Sequence, residues 1–156
     1  MPETVFYSWQ LDLPNPQNRS FIEQALERSV SALRSDLSLK VDPVLDRDTA
    51  GLPGAPDVSD SILGKIESTV AIVSDVSSVT PPDATRASPN PNVLFELGYA
   101  VKSLGWERTI LIQNVEFGGP EHLPFDLRSK RVLTYRVGAD ADVDRGADPV
   151  QQRGRK

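Results

Sequence analysis

Two hydrophobic periods alternate along this chain, and that alternation restricts its fold more than any other feature. Four short runs rich in β-branched and aromatic residues read as strands: Thr4-Val-Phe-Tyr-Ser-Trp9, Val70-Ala-Ile-Val-Ser74, Arg108-Thr-Ile-Leu-Ile-Gln113 and Arg131-Val-Leu-Thr-Tyr-Arg-Val137. Leu39 to Leu45 adds another, in second place along the chain, and Pro43 inside it marks an edge strand. Between the runs, apolar residues recur at helical spacing. The first set is Phe21, Ile22, Ala25, Leu26, Val30 and Leu33; the second is Ile62, Leu63 and Ile66, with Asp57 or Ser59 as a cap. The third is Val93, Leu94, Leu97, Ala100, Val101 and Leu104, stopped near Gly105. Val70 to Ser74 is almost continuously apolar, as a strand covered on both faces must be. Loops fall at Asp46–Pro56, at Ser77–Pro91 with its four prolines, and at Gly118-Gly-Pro120.

The order β-α-β-α-β-α-β-(irregular)-β implies an α/β domain with a parallel sheet covered by helices. Right-handed crossovers and a doubly wound strand order of 2-1-3-4-5 are expected for five strands. With 156 residues the chain is expected to form one domain over residues 1–137. Residues 138–156, acidic then basic and poor in apolar side chains, are expected to be a flexible tail.

Composition narrows the chemistry. There are no cysteines, so disulfides and thiolate metal sites are excluded, and a reducing, cytoplasmic setting is expected. The single histidine, His122, cannot build a multi-histidine metal site, and no metal is expected. A net charge of −5 argues against a nucleic-acid partner, whose binding surface is normally basic. No apolar run approaches the roughly 20 residues of a membrane span, and no signal peptide is visible, so no membrane association is expected.

Open parallel sheets bind ligands beyond the carboxyl ends of their strands, near the switch in strand order. The residues there are Tyr7, Ser8 and Trp9 after the first strand, Asp46, Arg47, Asp48 and Thr49 after the second, Ser74, Asp75, Ser77 and Ser78 after the third, and Gln113 and Asn114 after the fourth. The sharpest pattern is Asn90-Pro-Asn-Val-Leu-Phe-Glu-Leu-Gly-Tyr99. Asn90 caps and Pro91 takes the first helical position. Glu96 then falls beside the core-facing stripe, near the rim of the expected cleft. Gly98 costs this helix about 1 kcal/mol relative to alanine, which points to a close approach by a ligand or a neighbouring strand. A solvated glutamate and simple helix packing are the plainer readings of Glu96 and Gly98.

The run from Asn90 to Gly105, followed by Glu107-Arg-Thr-Ile-Leu-Ile112, resembles the bacterial Toll/interleukin-1 receptor (TIR)-like family of predicted nucleotide-binding proteins, which includes the TIR domains of cyclic-nucleotide-activated antiphage effectors. Val5-Phe-Tyr-Ser-Trp9, Leu45 to Gly54 and Leu123-Pro-Phe-Asp-Leu127 fit the same group, so the likeness spans about residues 4–137. Glu-Leu-Gly-Tyr-Ala, from Glu96, is also similar to nucleoside 2-deoxyribosyltransferases. These resemblances imply a flavodoxin-like, TIR-like fold. The first implies cleavage of NAD⁺, as substrate rather than cofactor, at the nicotinamide–ribose bond, in a bacterial defence or signalling setting. Both imply that Glu96 is catalytic at an anomeric carbon.

The expected nucleotide-binding residues are Tyr7, Ser8, Trp9, Asp46, Arg47, Asp48, Asp75, Asn92 and Tyr99. Tyr7 or Trp9 would stack on a ring and Arg47 would hold a phosphate. Asp75 would orient a ribose or cap its turn. Core filling by Trp9 and plain surface charge for Arg47 stand beside those roles. Two alternatives remain: a deoxyribosyltransferase-like N-glycosidase, and a non-catalytic module that self-associates through the 46–56 loop.

Overall fold

The computed structural model describes residues 2–47, 58–81 and 83–140. Five parallel strands form one sheet: β1 (Glu3–Ser8), β2 (Pro43–Arg47), β3 (Ala71–Asp75), β4 (Thr109–Asn114) and β5 (Val132–Tyr135). Their order is β2-β1-β3-β4-β5, the doubly wound arrangement implied by the alternation of periods. The long helices are α1 (Arg19–Ser35), α2 (Val58–Ser68) and α3 (Pro91–Leu104). Between β4 and β5 the chain makes two 3-10 turns, Val115–Phe117 and Pro120–His122, and a single-turn helix α4 (Phe125–Arg128).

Strand alternation sorts the core onto two faces. Phe6 and Ile72, register neighbours in β1 and β3, pack with Ile62 and Ile66 of α2 and Ala100 and Leu104 of α3. Farther along that face, Leu97 of α3 meets Leu111 of β4 and Leu127 of α4. Tyr7 and Val73 point the other way and pack under Ile22 of α1. Helices α2 and α3 therefore share one face of the sheet, and α1 holds the other.

Strand β2 differs from its expected position. Leu39 and Val41 are exposed, and the strand opens at Pro43 rather than enclosing it. Proline has no N–H to give a ladder, so it is best placed at a strand's first residue on a sheet edge. The shift carries Asp46 and Arg47 into the strand, where Asp46 sits level with Phe6 and Arg47 with Tyr7. Of the two expected caps of α2, Ser59 instead falls inside the helix as its second residue; Asp57, most of the 46–56 loop, and the expected tail from residue 141 on lie outside the described residues. Among the described residues no helix is long and apolar enough to cross a membrane.

Candidate active site

Strand order reverses between β1 and β3, and α3 starts above that point. Asn90 caps α3: its Oδ1 accepts from the Asn92 amide at 2.8 Å and the Val93 amide at 3.2 Å. Val93, Leu97, Ala100 and Leu104 form the buried stripe that seats the helix on the sheet. That seating turns Glu96 toward the end of β1. The buried Ser8 hydroxyl donates to Glu96 Oε2 at 2.5 Å. A sheet residue thus fixes the direction of the carboxylate.

Glu96 stands in the wall of a cleft of about 430 Å³. The chain after β1 supplies one side, through Trp9, Gln10, Leu11 and Asp12. Ile62 and Leu63 of α2 and Asn90, Asn92 and Phe95 at the α3 end complete it. Leu11 and Phe95 are 66% and 63% exposed, so the lip of the cleft is apolar as well as open. Trp9 is backed by Arg19, whose guanidinium lies 3.7 Å from the ring centre.

Ser8, Asn92 and Glu96 are therefore brought together, while Trp9 borders the cleft with its ring packed against the α1-face cluster of Tyr7, Ile22 and Val73, nearer to the core-filling role than to a free stacking surface. The remaining expected residues that the structure describes are placed elsewhere. Tyr7 is sealed in the core on the α1 face, with its hydroxyl donating to the Arg19 carbonyl at 3.4 Å; burial pushes its proton affinity far up. Because successive strand residues face opposite ways, Tyr7 cannot share a face with Ser8. Asp75 is also fully buried on the α1 side, near Tyr7 and Tyr135. It accepts from Gln10 Nε2 at 3.1 Å and from the amide and hydroxyl of Ser77 at 3.0 and 2.6 Å. Of the two roles expected for it, this geometry is that of the turn cap. Burial raises its carboxyl above the ordinary range, outweighing the pull of the Ser77 and Gln10 donors.

Asp46 accepts from Lys65 of α2 at 3.1 Å. Arg47 is ion-paired with Glu23 of α1, on the opposite side of the sheet from Glu96. Neither lines the cleft, because both lie in the strand and not in the loop after it. Tyr99 donates to Glu67 across the outer seam of α2 and α3, and that bond raises its hydroxyl proton affinity. Asp48 lies outside the described residues.

Gln10, Leu11, Asp12 and Phe95 are cleft residues that the sequence pattern did not single out. The signal for the first three was the rule that ligands bind just past the carboxyl end of a strand, extended three residues beyond Trp9. Phe95 falls outside the apolar spacing of the third helix, and its 63% exposure shows that it is off the buried stripe. Gly98 needs another account too. A methyl group there would meet nothing within 4 Å, so neither a strand nor a described ligand wall explains it.

The fold and part of the sequence are shared with known proteins. A 2-deoxyribosyltransferase from Leishmania mexicana superposes with a TM-score of 0.52 over 85% of this chain and 90% of that one, at 20% identity. In sequence, the Pycsar effector protein PaPycTIR of Pseudomonas aeruginosa is 36% identical over 80 residues. Both resemblances read in the sequence are thus found. The fold is flavodoxin-like. The PaPycTIR match takes in 51% of this chain and 25% of the effector, so the matched part corresponds to about a quarter of that relative. No protein-family model matches.

Proposed function

We propose that this domain is an N-glycosidase that cleaves NAD⁺ between nicotinamide and ribose, with Glu96 as the catalytic carboxylate. The observation that carries the reading is the Glu96 side chain in the wall of a cleft at the strand-order switch, oriented by Ser8. Nicotinamide departs as a neutral molecule because its ring nitrogen is cationic in NAD⁺. The C–N bond breaks with its electron pair on nicotinamide, water adds to the ribosyl carbon, and one proton is released. No acid has to protonate the leaving group, so one carboxylate suffices where ordinary glycoside hydrolysis uses two. Glu96 stabilises the oxocarbenium-like carbon electrostatically or as a transient nucleophile. Leu11 and Phe95 offer flat or apolar surface to a ring, and Asn92 offers a polar group to a ribose. The likeness to the Pycsar effector PaPycTIR supports a role in bacterial defence or signalling, and the absence of cysteine supports a reducing, cytoplasmic setting.

A second reading, a deoxyribosyltransferase-like N-glycosidase acting on nucleosides, is favoured by the charge of the wall. Among the described lining residues Asp12 and Glu96 are acidic and none is Lys or Arg, which suits an uncharged nucleoside.

The purified protein is to be incubated with NAD⁺ and, separately, with deoxynucleosides, while free base is followed. The expected result is nicotinamide release that falls by about 10²-fold or more in Glu96→Gln, the scale of losing a main transition-state electrostatic contact. Base release from deoxynucleosides alone moves the assignment to the second reading. Equal activity in wild type and Glu96→Gln removes Glu96 from the chemistry.

A further inference from the structure

We infer that Asn90 and Asp12 form a clasp that holds the β1–α1 loop at the mouth of the Glu96 cleft, which makes both of them positioning residues. The consequence for catalysis rests on the N-glycosidase reading; the clasp itself does not. Asn90 uses the two ends of its amide differently. The oxygen caps α3 through the Asn92 and Val93 amides. The nitrogen donates to Asp12 Oδ2 at 2.5 Å, 78 positions away in sequence. Capping needs only the oxygen, and serine, threonine or aspartate would serve as well. What asparagine adds is a donor nitrogen separate from the capping oxygen, and its acceptor is a carboxylate, which makes the bond charge-assisted.

The loop that Asp12 belongs to has two anchors. At its base, Gln10 donates to the buried Asp75 at 3.1 Å and accepts from the Leu13 amide at 2.9 Å. At its tip the described tie is the Asp12–Asn90 bond, which is solvent-exposed. Leu11 lies between the two anchors and forms part of the lip. One cleft wall is this loop; the facing wall begins at Asn90 and runs to Glu96 on the same helix. The clasp therefore sets the distance between the walls, and with it the aperture through which a ribosyl group reaches Glu96. Because the bond is at the surface, it can be broken without opening the core.

The test exchanges charge and donor. Asn90→Asp keeps a capping oxygen but sets a carboxylate against Asp12. Adding Asp12→Asn restores one donor and one acceptor with their positions reversed. Two quantities are measured on the full chain: KM and kcat for NAD⁺ cleavage, and the hydrogen-exchange rate of the Leu13 amide. Asn90→Asp is expected to raise KM and speed Leu13 exchange, each by about fivefold, the worth of one hydrogen bond, with the effect on KM larger than on kcat. The double exchange is expected to return both to within about twofold of wild type. A general weakening of α3 would lower the unfolding temperature and would not be reversed by Asp12→Asn. Unaltered Leu13 exchange in Asn90→Asp, or no recovery in the double variant, overturns the clasp. Should the wild type cleave no NAD⁺, the N-glycosidase reading fails, and Leu13 exchange still decides the clasp.

Discussion

Asp75 carries a carboxyl group sealed inside the protein, and its proton equilibrium reaches stability by linkage. Burial raises its folded-state pKa above the ordinary 3.8. A carboxyl shifted in that direction lends stability that is fully present in acid, below the unfolded value, and lost as pH rises through the folded one. Asp75→Asn removes the titration while keeping an oxygen for Ser77. The wild type is therefore expected to lose stability relative to Asp75→Asn as pH rises from about 4, near the unfolded pKa, toward neutrality. Urea midpoints of both proteins across that range check this, and other titrating groups cancel in the difference. Parallel curves would mean that Asp75 titrates normally. The same residue shows what was legible at this scale and what was not. That Ser8 and Asp75 fall at the carboxyl ends of strands at the switch point can be read from the chain. That they face opposite sides of the sheet requires counting alternation from a known inward residue. Phe6 supplies that count: Ser8 joins it on the Glu96 face, and Tyr7 is excluded from it.

Helix α3 holds the candidate catalytic residue, and most of it was readable from local chemistry. The Asn90-Pro91 start and the Gly105 stop are signals that act within a few residues, and both are observed. Gly105 has φ of 85°, a backbone region in which a side chain is strained, so glycine there has a reason. Gly98 has no such reason. It is exposed, its φ is not positive, and a Cβ would enter open space. Gly98→Ala is expected to stabilise the protein by about 0.5–1 kcal/mol, through helix propensity and a less disordered unfolded chain. Chemical unfolding measures the gain, while NAD⁺ cleavage monitors the site. A gain with unchanged cleavage leaves Gly98 as an ordinary weak point; a loss of cleavage would show that ligand approaches this turn. Strand β2 is the element that local chemistry misplaced. Leu39 and Val41 have strand-like character but no pleated neighbour to cover them, so tertiary pairing selected Pro43–Arg47 instead.

Across the whole molecule, the alternation of two periods led to the strand order, because few topologies satisfy right-handed crossovers with short connections. It did not tell how evenly the faces are covered. On the α2–α3 side, helices reach across to β4, where Leu111 is 2% exposed. On the α1 side, the helix covers β1, β2 and β3 and reaches β5 only at its end, where Phe21 stacks on Tyr135 at 4.8 Å. The early parts of β4 and β5 are left open there, with Ile110 and Leu133 each 41% exposed. Three apolar residues within two neighbouring strands therefore occupy two environments, and burial rather than residue type must decide their worth. Leu111→Ala removes a closely packed side chain from between the sheet and Leu97, and is expected to cost about 2–5 kcal/mol. Ile110→Thr and Leu133→Thr each leave a β-branched residue on a half-wet surface and are expected to cost about 1 kcal/mol or less each. Urea midpoints of the three variants in the full chain give the comparison. Comparable losses for Ile110→Thr and Leu111→Ala would mean that the second face of β4 is covered in solution, and that the sheet is packed on both sides along its whole width.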